Sequence, residues 1–318
     1  MIGAGLLVTG CGGALEPAGP VAGRIADLWW VLFWLGAAGF TVVGVILLLV
    51  STGRESPDFV TDRHLILFGG IIMSLVLTIP AVVMTVVVER DLHQGLREST
   101  EIEIDLIGHQ FWWDVVYRSG GDEIRTANEI HIPTGEPVKL IVTSADVIHS
   151  VWIPEIAGKI DLIPGHSNEL ILHADTDGVY EGRCAEFCGL SHALMKLIVV
   201  ASPREEFDVW LEGQASPADV EIDAGVRQAF ANSCAPCHTV RGLFEDEISE
   251  TFLGDFGPDL THLASRRMIG ANLIPNTPEG LARWIVDPQG VKPGNRMPDV
   301  GLSPDDLNEI IDFLQELS

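Results

Sequence analysis

Basic residues are scarce in this sequence: 19 lysines and arginines stand against 45 aspartates and glutamates, and only four of the 19 are lysines. The resulting net charge of −26 excludes nucleic acid as a partner, because binding a phosphate backbone needs clustered cations. Such a field would speed the approach of a basic protein and weaken as salt rises, while also giving an ordinary solvated surface. Cysteine is scarce too, with five in 318 residues, which leaves no disulfide scaffold to assign. Cys11 stands alone, Cys184 lies near Cys188, and Cys234 lies near Cys237. Charge is missing altogether from two long runs, 28–50 and 65–88. About 20 apolar residues cross a bilayer as a helix, so both runs are predicted to span within a region 24–90. Trp29, Trp30 and Trp34 would sit toward one interface, and neither span carries a proton path by itself.

Beyond residue 100 the apolar runs give way to alternation, as in EIEIDLI, EIHIP, PVKLIVTS, NELILHA and MKLIVVAS. These read as half-buried strands bounded by Gly, Pro and Asp turns, with no helix between them, and so as an all-β sandwich over 100–210. The stretch Cys184 to Met195, CAEFCGLSHALM, packs two thiols, an imidazole and a thioether into twelve residues. Thiolate, imidazole and thioether are the ligands that copper selects. A mononuclear site would need one cysteine, whereas two, joined by a histidine from another strand, suggest two bridged copper ions. His149, in VIHSVWIP, is the candidate for that histidine. The competing readings are a Cys184–Cys188 disulfide and a thioredoxin-like copper chaperone. The first has no use for His192 and Met195, and the second needs helices between its strands.

Residues 211–222 read as a polar linker to a domain over 223–318. There CAPCH, Cys234 to His238, matches the c-type haem attachment motif, with both thiols forming thioethers and His238 binding iron. A redox disulfide is the rival reading, and it has no need of the histidine. Met268 and Met297 are the two choices for the sixth iron ligand. Met297, between Gly and Pro in KPGNRMPDV, is favoured over Met268, which follows Arg266 and Arg267 in a stretch that reads as helical. Ser303 is predicted to cap a closing helix with Pro304 at its first position, placing Leu307, Ile310, Ile311 and Leu314 on one face toward Phe230. His262, in GPDLTHLASR, is expected to hydrogen-bond locally or near a haem propionate rather than bind iron.

CAEFCGLSHALM, with HSVWIP upstream and DLIPGHSN between, resembles subunit II of the haem–copper cytochrome c oxidases from about Leu28 to Trp210. The C-terminal part resembles a class I cytochrome c, an all-α fold. The resemblance implies a two-helix membrane hairpin, a cupredoxin sandwich holding binuclear CuA, and a fused haem c domain. It implies that Cys184 and Cys188 bridge the coppers, His149 and His192 each cap one, Met195 completes one, and the Glu186 carbonyl completes the other. The Glu186 carboxylate would face a magnesium ion shared with subunit I, with Asp161 near it. The implied partners are subunits I and III, the lipid bilayer, and an external donor such as cytochrome c or an upstream quinol–cytochrome c reductase. The implied task is to pass electrons through haem c and CuA to subunit I, where oxygen reduction drives proton pumping. The small subunit of a CuA-containing nitric oxide reductase and a stand-alone membrane-anchored carrier are the alternatives.

The sequence departs from the family at the aromatic cluster GHQFWWDVVY, residues 108–117, where Phe111 stands in place of the usual Trp and Trp112 follows. Phe111 and Trp112 are candidates for the electron path, or three adjacent aromatics in a strand that serve as core. His166 stands where the family commonly has Arg, and Asp62 is the candidate acid for proton uptake. Only Arg54 and Arg63 mark the loop between the spans, so orientation rests on haem attachment, which the resemblance puts outside the cytoplasm of a bacterial plasma membrane. GLLVTGC, residues 5–11, reads as a lipoprotein signal over 1–11 that would leave Cys11 lipidated. The first ten residues contain no Lys or Arg, which leaves an ordinary buried cysteine or a start upstream as alternatives.

Overall fold

The computed structural model describes residues 13–52, 62–95, 100–119, 122–244 and 256–318. Cys11 and Arg54 lie outside them. Helix α1 (Pro20–Ser51) begins with proline at its first turn, where the missing N–H costs no hydrogen bond. It starts eight residues before the uncharged run, and the early part packs on the sandwich: Ala22 and Ala26 are buried, and the Ala18 N–H donates to Glu155 O. The return is a single turn, α2 (Asp62–His64), running through a π-helical segment (Leu65–Ile72) into α3 (Met73–Gly95). Both apolar helices are long enough to cross a membrane and none of their apolar stretch is covered by the rest of the chain. Phe40, 82% exposed, would be costly in water and is at home against lipid.

Ten strands follow: β1 (Glu103–His109), β2 (Trp112–Ser119), β3 (Asp122–Ala127), β4 (Glu129–Pro133), β5 (Val138–Ser144), β6 (His149–Trp152), β7 (Lys159–Leu162), β8 (Asn168–Leu172), β9 (Gly178–Cys184) and β10 (Lys196–Ser202). They form two five-stranded sheets, in the orders β3-β2-β1-β5-β8 and β4-β10-β9-β6-β7. Alternation puts Ile104 and Leu106 of β1, with Val138, Leu140 and Val142 of β5, on the inner face, fully buried between the sheets. Each such aliphatic side chain contributes about 1.5–3 kcal/mol by leaving water. With no α-helix between consecutive strands of the sandwich among the described residues, the thioredoxin-like alternative falls away. The second sheet sets β6 between β7 and β9, so that His149 at the start of β6 and Cys184 at the end of β9 meet at one end of the sandwich.

The segment read as a linker is structured. Helix α4 (Arg204–Ala215) continues through its first residues because Phe207 and Gln214 are buried, and the Gln214 amide donates to Ser265 Oγ at 3.3 Å. Residues 216–222 are strapped onto the next domain, with the Ala218 N–H donating to Arg241 O and Val220 and Ile222 packed on its core. These residues are polar because they serve a seam between two domains.

That domain comprises α5 (Ala224–Ser233), α6 (Pro278–Val286), the short α7 (Pro288–Val291) and α8 (Pro304–Glu316), with a two-residue ladder of β11 (Met268–Ile269) and β12 (Ile274–Pro275). Asp223, Thr277 and Ser303 cap α5, α6 and α8 with side-chain oxygens, each accepting a backbone N–H. Phe230 of α5 stacks on Phe244 at 4.7 Å and meets Phe313 of α8 edge-on at 5.4 Å. Met268 sits on a strand, contrary to the helical reading, because Gly270, Ala271 and Asn272 all take positive φ and turn the chain back at once. His262 is buried and pairs with Ser216 O at 2.9 Å, a partner 46 positions away where a local one is expected.

Candidate metal centres

At the end of the sandwich five side chains converge from β6, the end of β9 and the loop after it. Cys184 Sγ lies 3.8 Å from Cys188 Sγ, 3.9 Å from His149 Nδ1 and 3.2 Å from Glu186 O. Cys188 Sγ lies 3.7 Å from His192 Nδ1 and 3.9 Å from Met195 Sδ. Both thiols are free and, like His149 and Met195, buried. The Cys184–Cys188 disulfide is therefore not formed. One thiol cannot ionise without opposing the other: Cys184 is drawn down to about 3, first by the hydrogen bond shared with Cys188 and then by His149 against the cost of burial. Cys188 is pushed up by that same hydrogen bond and by burial. Two thiolates held this close repel one another unless cations lie between them, and soft thiolate and thioether donors suit copper.

The imidazole of His149 is oriented by Asp146, whose Oδ1 lies 2.9 Å from Nε2, so that Nδ1 faces the thiols with its lone pair. Burial opposes a charge on His149, but Asp146 and Cys184 outweigh it and raise its pKa. Gly108 gives the ring room, since a β-carbon there would stand 2.8 Å from His149 Cδ2. The copper loop is tied to the turn between β1 and β2 by the Gln110 amide, which donates to Cys188 O at 2.5 Å. Phe111 is in that turn, not in a strand, and is only 4% exposed. Trp112 begins β2 and stacks on His109 at 4.4 Å. Glu186, in the loop after β9, and Asp161, on β7, are both exposed, and His166 is exposed as well.

In the helical domain a cavity of about 190 Å³ is lined by Cys234, Cys237, His238 and Met297, with Phe230 and Trp284 among its apolar walls. His238 Nδ1 lies 2.8 Å from Pro258 O, which fixes the tautomer and leaves Nε2 free to bind a metal. Gly257 lets the imidazole approach, because a β-carbon there would stand 2.6 Å from its Cε1. Burial raises the Cys234 thiol to about 12 and lowers His238, keeping both uncharged. Arg266, also on the wall and 8% exposed, donates to Asp259 O at 2.5 Å, while its Nε has no hydrogen-bond partner among the described residues. An apolar cavity with two thiols, an imidazole, a thioether and an unpaired guanidinium N–H fits a haem with its carboxylates.

The wall of this cavity is completed by the other domain, through Gln110, Phe111, Trp112 and Asn128. Lys292 Nζ crosses the seam to Phe111 O at 2.5 Å and reaches Gly270 O at 3.0 Å. It is 2% exposed, and burial pushes its pKa down to about 7.

Two family patterns match the chain: cytochrome c oxidase subunit II, periplasmic domain, over residues 116–202, and cytochrome c over residues 222–318. Cytochrome c oxidase subunit 2 of Alkalihalophilus pseudofirmus is 33% identical over 338 residues, an alignment covering 98% of this chain and 94% of that protein. The chain belongs to the cytochrome c oxidase subunit II family. The corresponding subunit of Bacillus subtilis is 27% identical, again over 98% of this chain and 94% of its own. Among solved structures, the periplasmic domain of subunit II of cytochrome oxidase of Bradyrhizobium japonicum is 29% identical, covering 37% of this chain and 96% of that one with a TM-score of 0.36. As a subunit II, the chain is part of an oxidoreductase, a haem–copper oxidase through which electrons enter. Its two matched domains imply copper and haem. The apolar helices anchor it in the membrane.

Six residues of this subunit II were not singled out from sequence: Gly108, Gln110, Asp146, Pro258, Arg266 and Lys292. Asp146 had a signal, its spacing of three before His149, and Pro258 lies in GPDLTHLASR beside His262. Gln110 and Lys292 had none, because each acts across a contact between segments far apart in the chain.

Proposed function

We propose that this subunit II passes electrons from an external donor to a haem held by Cys234, Cys237, His238 and Met297, then to a binuclear copper centre, and on to subunit I. His149, Cys184, Cys188, His192, Met195 and the Glu186 carbonyl hold the coppers in this reading. Both groups exchange one electron at a time, so neither this chain nor its cofactors need reduce oxygen. That reaction, with coupled proton pumping, belongs to subunit I. The haem is attached by thioethers from both cysteines, and Arg266 supplies an N–H to one of its carboxylates.

The observation that carries the reading is the shared wall. Gln110 and Phe111 line the haem cavity, and the Gln110 side chain donates to the carbonyl of Cys188 in the copper loop. Two one-electron sites with a common wall form a relay. Phe187, Val147 and Ile148, all exposed apolar side chains around the copper loop, supply a surface that fits another protein such as subunit I. The Glu186 carboxylate faces a magnesium ion at that junction, with Asp161 near it. Both helices span, the two soluble domains stand on the extracytoplasmic side, and Cys11 carries the lipid. The net charge of −26 suits a basic donor.

Metal analysis and electron paramagnetic resonance on the full chain, matured with haem and copper, test the assignment. Two coppers per iron, with one unpaired electron shared over both coppers, are expected. One copper, or none in a fully metallated preparation, overturns it.

A further inference from the structure

Lys292 is a long cationic side chain placed where an apolar one would fit at less cost. Its partners are two main-chain carbonyls, Phe111 O from the copper domain and Gly270 O from its own, and no carboxylate among the described residues pairs with it. The amine donates an N–H to each of these two acceptors. What lysine adds to the packing is therefore directional: it fixes where the backbone at Phe111 lies relative to the helical domain.

Both ends of this contact lead to a metal site. On one side Lys292 begins the loop that runs to Met297, and that loop is stiffened from within. Asn295 Nδ2 donates to Pro288 O at 2.7 Å and to Lys292 O at 2.6 Å, and its Oδ1 accepts the Met297 N–H at 2.8 Å. On the other side Phe111 adjoins Gln110, whose side chain holds Cys188 O and whose N–H donates to Asp146 Oδ2 at 2.8 Å. A shift at Lys292 is thus transmitted to the methionine loop and the copper loop together.

We propose that Lys292 is a positioning residue that holds the haem cavity in register over the copper loop and so sets the rate of electron transfer between them. The inference rests on the relay reading above. The amine borders the haem cavity but bonds to no ligand of either centre, so its removal leaves the ligands in place and alters their relation.

The test is Lys292→Met in the full chain with both centres loaded. Methionine fills the space and removes both donors. After rapid reduction of the haem, transfer to copper is expected to fall about tenfold or more, since ångström-scale misplacement of reacting groups carries penalties of that order. Optical and paramagnetic spectra of each centre should be unchanged. Amide hydrogen exchange at 111–113 and 268–272 should quicken, a readout that does not depend on activity. Lys292→Gln keeps one shorter N–H₂ donor, should give an intermediate rate, and carries the test if the methionine variant fails to fold. Unchanged transfer and unchanged exchange in the variants overturn the positioning role. Absence of any haem-to-copper transfer in the unaltered chain overturns the relay instead.

Discussion

The two metal sites are built in opposite ways. At the copper loop the donor atoms already lie within 3.2–3.9 Å of their neighbours, carried by a sandwich whose core of Ile104, Leu106, Leu140 and Val142 is complete without any metal. In the helical domain the donors stand around an open cavity, and Phe230, Trp284 and Leu314 line that space. The sandwich is a finished scaffold that presents a site, whereas the helical domain surrounds a cavity that the proposed haem would fill as part of its core. The contrast follows from secondary structure. Ten strands bury their alternate residues against one another, while helices as short as α5, with ten residues, and α7, with four, have little surface to share.

The largest consequence concerns stability. Changing Cys234 and Cys237 to alanine, and so preventing haem attachment, should abolish the cooperative melting of residues 223–318. The sandwich should still melt as before, as domain-resolved hydrogen exchange would show. Equal protection of the helical domain with and without haem would break the contrast.

A smaller effect is expected at Asp146. Its carboxylate orients His149 and touches no thiol, so Asp146→Asn should lower copper affinity about 10- to 100-fold, the range found when a carboxylate behind a histidine ligand is lost. The haem spectrum should not change. Copper titration with a competing chelator measures this, and an unaltered affinity would mean that the sandwich alone orients the ring. Smallest of all, Ser303→Ala removes the cap of α8 and should lower the stability of the helical domain by about 1 kcal/mol, with no change in the sandwich. A denaturant titration followed at both domains would sharpen the separation between them, whereas a loss shared by both would show that they melt as one.

The sequence carried the local chemistry well. Cys184, Cys188, His192 and Met195 lie within one loop, and their spacing alone assembles most of one site. CAPCH does the same for the other, and the Ser303–Pro304 start of α8 is a local signal that the backbone obeys. Strand alternation gave the sandwich because one buried face imposes a period of two. What sequence did not reveal lies between distant segments. Gln214 looked like linker because polar residues at a seam resemble polar residues in water. Phe111 looked like one more strand residue, yet it occupies the turn that the helical domain covers. Lys292 bonds a carbonyl 181 positions away, and no periodicity records such a contact.

Helix α1 has a mechanical consequence. Its first eight residues, Pro20 to Asp27, lie against the sandwich through Ala22 and Ala26 and run without a break into the uncharged stretch. At 1.5 Å per residue they form a rigid post about 12 Å tall. A post without a break ties the direction of the uncharged stretch to the sandwich, so that a tilt of one is a tilt of the other.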